Sequence, residues 1–140
     1  MDKIFLDTNI VVDFLCERGE FYLPAAKIFI TGYNNEVELY CSSLTYATAS
    51  YLMKRSGIGY IEIRRKLMDI STICHPSMVD NAIVTASLNS SFVDFEDALQ
   101  YFSAKSCGAN IIITRNKKDF SESELPLYQP NEYLNLFSSK

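Results

Sequence analysis

The run Asn110-Ile111-Ile112-Ile113-Thr114 constrains this chain more than any other feature. Three consecutive β-branched residues, with no alternation of apolar and polar, make a strand that is apolar on both faces. Such a strand belongs inside a parallel sheet, where helices cover each side. Residues 3–7 (Lys3-Ile4-Phe5-Leu6-Asp7) and Val37-Glu38-Leu39-Tyr40-Cys41 read as further strands, and 71–74 as a short fourth one. Helical spacing fills the gaps between them. Thr8 is expected to cap a helix whose apolar face is Ile10, Val11, Phe14 and Leu15. A second helix is expected over about 23–33, with Pro24 in its first turn. A third should run from a cap at Ser42 or Ser43 to about Arg55, apolar on most sides and therefore buried. Others are expected over 59–69, around Met78, Val79, Ala82, Ile83 and Ala86, from Asp94 to a stop at Gly108, and from Pro130 to near Phe137. The predicted class is α/β: a three-layer α/β/α arrangement with a central, mostly parallel sheet, in a single domain over 1–140.

Composition removes whole classes of function. Forty-eight per cent of the residues are hydrophobic, which excludes a disordered chain. No apolar run approaches the roughly 20 residues of a membrane span, and no signal-peptide pattern opens the sequence. No membrane association and a cytoplasmic location are the expectation. Thirteen basic and seventeen acidic residues leave a net charge of −4. That argues against a surface coated in nucleic acid, yet allows a basic groove beside an acidic centre. Cys16, Cys41, Cys74 and Cys107 form no CxxC pair, and His75 is the only histidine. Buried reduced thiols are expected rather than a zinc site.

The chemistry is expected where parallel strands end, because ligands bind beyond their carboxyl edge. One strand runs into Asp7-Thr8-Asn9. Another runs into Thr114-Arg115-Asn116, with Asp119 three residues on. A carboxylate straight after Ile4-Phe5-Leu6 is partly desolvated and needs a partner or a cation. Asp94 and Asp97 also suit a helix N-terminus, as a cap and a first-turn acid. Their functional reading turns Asp97 toward the cleft of Asp7. Acids converging without histidine or cysteine suit Mg²⁺ or Mn²⁺, which activate water and stabilise the displaced oxygen of a phosphodiester. Other phosphate chemistries fit less well. There is no P-loop. Asn9 stands where a haloacid-dehalogenase-type phosphatase would carry its second acid, and no acidic pair precedes a receiver-type phospho-acceptor.

Three stretches together, IFLDTNIVVDFL, SSLTYATASYLMKR and DFEDALQYFSAKSCGANIIITRNKKDF, resemble the PIN domain family, including its VapC-like toxin ribonucleases. The order and spacing of DTN, DFEDA and TRNKKDF carry the likeness, which covers nearly the whole chain. The resemblance implies a metal-dependent endoribonuclease with Asp7, Asp97 and Asp119 holding Mg²⁺ or Mn²⁺ and Asn116 in the catalytic set. Asn9, Thr48, Asp94 and Thr114 would stand behind them. Arg115, Lys117 and Lys118 would face the RNA backbone. RNA, a small antitoxin protein and a second copy of the chain are the implied partners. One position departs from the family: Thr48 stands where relatives usually carry glutamate in the third helix. Threonine is neutral, and its hydroxyl can bond back to the Leu44 carbonyl. The alternative implied by that departure is a degenerate PIN domain that binds RNA or a protein without cleaving.

Overall fold

A computed structural model describes residues 1–139. The chain runs β1 (Lys3–Leu6), α1 (Thr8–Leu15), α2 (Gly19–Tyr33), β2 (Glu38–Ser42), α3 (Ser43–Arg55), α4 (Tyr60–Ser71), β3 (Cys74–Ser77), α5 (Asn81–Leu88), α6 (Phe95–Ser106), β4 (Ile111–Ile113), β5 (Leu127–Tyr128) and α7 (Pro130–Ser138). A single 3-10 turn, Lys117–Phe120, lies between β4 and β5. The five strands form one sheet in the order β3-β2-β1-β4-β5, and every pairing is parallel.

The strand pleat divides the apolar residues between two layers. Ile4, Leu6, Leu39, Cys41, Ile111 and Ile113 face the larger core, which α1, α2, α3, α4 and α7 fill with residues such as Ile10, Phe29, Met53 and Tyr133. Phe5 and Ile112 point the other way and meet Tyr101 and Ala104 of α6, with Phe120. The three expected layers are all present.

Several local expectations need correction. Asp7, not Thr8, caps α1: its Oδ1 accepts the Thr8 amide at 2.8 Å. Helix α2 begins at Gly19, so Pro24 sits inside it rather than in the first turn. The helix gives up one backbone hydrogen bond there. Helix α3, capped by Ser42, is not buried on most sides. Only Thr45, Ala49 and Met53 are covered, at a four-residue spacing, while Leu44 and Tyr51 are exposed. Strand β3 is displaced from 71–74 to Cys74–Ser77, because α4 continues to Ser71. Pro76 can lie in β3 because this strand is the sheet edge, where a missing N–H costs no ladder bond. Met78 and Val79 fall outside α5, which Asp80 caps by accepting from the Ile83 amide. Cys41 and Cys74 are buried, but Cys16 and Cys107 are only half-buried; all four are free thiols. Helix α6 follows the expectation, with Asp94 as its cap and Gly108 just past its end at φ +78°.

Candidate metal centre

Strands β1 and β4 are neighbours, with Leu6 opposite Ile113. The residues that follow them, Asp7 and Thr114, therefore emerge side by side at the carboxyl edge of the sheet. The Thr114 hydroxyl donates to Asp7 Oδ2 at 2.8 Å and accepts from the Asn116 amide at 3.0 Å. One fully buried threonine thus fixes both the Asp7 carboxylate and the turn carrying Asn116. The Asn116 carbonyl in turn accepts the Asp119 amide, which sets the 3-10 turn.

Helix α6 brings its first turn to the same place from the opposite layer. Asp7, Thr8 and Asn9 line an open cleft of about 270 Å³ together with Glu96, Asp97 and Asn116. Val12 of α1, Arg18 from the loop before α2, and Leu52 from α3 complete its wall. A chain of polar contacts ties the elements beneath it. The buried Gln100 donates through Nε2 to Thr8 Oγ1 and to Glu96 Oε1, both at 2.9 Å. The Thr8 hydroxyl shares a 2.9 Å hydrogen bond with Thr45 of α3.

The electrostatics are those of a site built around negative charge. Burial pushes the Asp7 carboxyl up to about 6, helped by the charges of Glu96 and Asp119, while the Thr114 hydroxyl and the Thr8 amide hold it down. Asp97 is pushed up to about 7, first by burial and then by Asp94, Glu96, Asp7 and Asp119. Among the described residues no lysine, arginine or histidine forms an ion pair with Asp7 or Asp97. The donor set is entirely oxygen. Asn9 Oδ1 adds a buried acceptor with no hydrogen-bond partner among the described residues. An uncompensated oxygen set of this kind fits a hard divalent cation.

The other expected residues are placed as follows. Asp119 is exposed and does not line the cleft, although its charge adds to the upward push on Asp7 and Asp97. Asp94 is occupied by the α6 cap, where Oδ1 accepts the Asp97 amide at 3.0 Å. Thr48 is exposed one turn before Leu52, on the same face of α3, and its hydroxyl has no hydrogen bond among the described residues. The Arg115 guanidinium is taken up by Asp13, with contacts of 2.6 and 3.2 Å, and lies 3.9 Å over the Phe21 ring. Lys117 pairs with Glu132 at 3.0 Å. Lys118 is exposed and unpaired among the described residues.

Two charged cleft residues escaped the sequence reading, Glu96 and Arg18. Glu96 sits between two acids already explained as helix-end residues, which hid it. Its signal is the i, i+4 spacing to Gln100, an apolar-side position occupied by an amide. Arg18 lies in a loop and carries no periodic signal.

A parallel sheet with acids gathered at its carboxyl edge defines a class, and the sequence agrees with it: the PIN domain family matches residues 3–118. The chain belongs to that family. One relative is Ribonuclease VapC1 of Aquifex aeolicus (strain VF5), 28% identical over 131 residues, which cover 86% of this chain and 85% of that protein. Among solved structures, VapBC-1 from nontypeable Haemophilus influenzae matches with a TM-score of 0.68 at 19% identity, over 92% of this chain and 98% of that one. VapBC2 from Rickettsia felis, bound to a DNA fragment from its promoter, matches with a TM-score of 0.62 at 18% identity, over 91% and 98%. At those identities the structural likeness supports the fold. Among the described residues, no helix is long and apolar enough to cross a membrane.

Proposed function

We propose that this PIN domain is a divalent-metal-dependent endoribonuclease, the toxin of a toxin–antitoxin pair, acting on single-stranded RNA in the cytoplasm. The observation that carries the reading is Asp7: a carboxylate only 6% exposed, with other acids around it and no ion pair among the described residues. Mg²⁺ or Mn²⁺ would be held by Asp7, Asp97 and Asp119. When bound, the ion activates water and offsets the charge that develops on the phosphodiester.

The chain's own groups do the remaining work. Thr114 keeps Asp7 in one orientation and, through the Asn116 amide, places the Asn116 side chain at the cleft mouth. Asn9 lines the same cleft, and its Oδ1 is buried without a hydrogen-bond partner among the described residues. Asp94 holds the first turn of α6 in shape, so that Asp97 faces Asp7's cleft. Lys118 is the cation best placed to meet a phosphate backbone, since Lys117 and Arg115 already carry acidic partners. A homodimer and a small antitoxin protein are the proposed protein partners. Support for a covering partner comes from α3 and α4, where Tyr51, Tyr60, Ile61 and Met68 are all more than half exposed.

Purified protein with Mn²⁺ should cut single-stranded RNA, and a chelator should stop it. Mn²⁺ should serve better than Mg²⁺, being higher in the affinity order. Cleavage that persists in chelator, or in Asp97→Asn, sinks the metal reading. A second reading, RNA binding without cleavage, is favoured by one observation: α3 brings only Leu52 to the cleft, and no acid. Retention of intact RNA by the Mn²⁺-loaded protein would decide for it.

A further inference from the structure

We propose that Glu96 supplies the acidic ligand that α3 lacks at Thr48, and that Gln100 is the positioning residue that holds it in the cleft. This rests on the metal reading above and specifies the donor set of that site.

Three observations bear on it. Glu96 lines the same cleft as Asp7, Asp97 and Asn116. Its carboxylate lies with those of Asp94 and Asp97 in a group whose ligand oxygens all fall within 4.8 Å of one another. Trans oxygens around a six-coordinate Mg²⁺ stand about 4 Å apart, so side-chain rotation is enough to bring two of these groups onto one ion. Asp94 caps the helix and, unlike Glu96 and Asp97, does not line the cleft. That leaves Glu96 and Asp97 as the pair that faces Asp7.

The second part of the argument is Gln100. It is 1% exposed, and its Nε2 is divided between Glu96 Oε1 and Thr8 Oγ1. Its own Oε1 is buried without a partner among the described residues. Leaving a buried carbonyl unsatisfied is costly. A first-turn glutamate that served only the helix dipole would need no side-chain support; Glu96, though exposed, is held by a buried amide. The bond also occupies one carboxylate oxygen and leaves the other, Oε2, for a ligand. Through Thr8 and Thr45 the same chain of bonds reaches α3, the helix that would otherwise have provided the acid.

Calorimetric titration of the full chain with Mn²⁺, beside metal-free melting curves, tests the proposal. Glu96→Gln should weaken Mn²⁺ binding by about 10- to 100-fold, and Gln100→Leu by about 10-fold, the scale on which ligand-orienting groups act. Metal-free melting of Glu96→Gln should stay the same or rise, because one of several crowded charges is gone. Adding Thr48→Glu to Glu96→Gln should recover affinity, since a glutamate one turn before Leu52 is long enough to reach the cleft that Leu52 lines. Unchanged Mn²⁺ affinity in Glu96→Gln overturns the inference. So does a lowered metal-free melting temperature with affinity intact, which would make Glu96 a helix-end residue. An original protein that binds no Mn²⁺ removes the metal reading itself, and this inference with it.

Discussion

Helix α1 has a buried carboxylate at each end, and the two are treated in opposite ways. Asp13, near its C-terminus, is 1% exposed and has cations supplied by the fold. Arg115 meets it with two hydrogen bonds at 2.6 and 3.2 Å, and Arg18 approaches to 3.9 Å. Asp7, at the N-terminus, is 6% exposed and has only a hydroxyl and an amide, with Glu96 and Asp119 adding negative charge. A buried charge is tolerable when paired. Asp13 is complete as folded and has a structural role. Asp7 has no such partner, and in the proposed function a cation from solution takes that place.

The largest effect expected from this contrast is at Asp13. Asp13→Asn leaves Arg115 without its partner and should destabilise the protein by about 3 kcal/mol, the lower end for breaking a buried pair. Chemical denaturation would measure it. Asp7→Asn should do the reverse without metal and leave stability equal or higher. Thr114 and the Thr8 amide can still hydrogen-bond the amide side chain, while the repulsion from neighbouring acids is relieved.

The pH dependence follows from the same pair of raised groups. Asp7 and Asp97 titrate near 6 and 7 in the folded chain, against an ordinary value of 3.8. The folded state therefore holds protons that the unfolded state has released, and stability falls as pH rises through that window. The Asp7 contribution is present below about pH 4 and is lost by about pH 6; its size is on the order of 3 kcal/mol at most. Metal-free melting temperature should drop between pH 4 and 7. Asp7→Asn should flatten the lower part of that fall, and saturating Mn²⁺ should offset it at neutral pH. A melting temperature that rises over the window would contradict the assignment. The smallest effect should come from Thr48→Glu alone. It adds an acid to a cleft that already has Glu96, so Mn²⁺ affinity should tighten only a few-fold by calorimetry.

The parts of the site legible in the sequence are those that strand ends specify. Ile4-Phe5-Leu6 and Ile111-Ile112-Ile113 each stop at a polar residue, and parallel pairing places those stops together. Asp7, Thr114 and Asn116 could be found that way. The Asp94 cap was legible too, because capping is local. What escaped depends on contacts that no local pattern encodes. Arg115 reads as an RNA-facing cation beside the acidic turn, yet its partner Asp13 is 102 residues away. Gln100 reaches Thr8 across 92 residues. In α3 the apolar residues suggested burial on most sides, but the helix packs through one narrow stripe, and Leu44 and Tyr51 remain outside. The strand expected over 71–74 lies instead at Cys74–Ser77, and Pro76 fits there because β3 is the sheet edge.

The most direct test of the central claim is the change in melting temperature that Mn²⁺ produces in the original protein and in Asp7→Asn. A ligand at 100 times its dissociation constant stabilises by about 2.7 kcal/mol, several degrees for a chain of this size. The original protein should show that gain, and Asp7→Asn should show little of it while melting at or above the original without metal. An equal gain in both proteins, or a metal-free loss in Asp7→Asn greater than about 2 kcal/mol, would make Asp7 a structural anchor like Asp13.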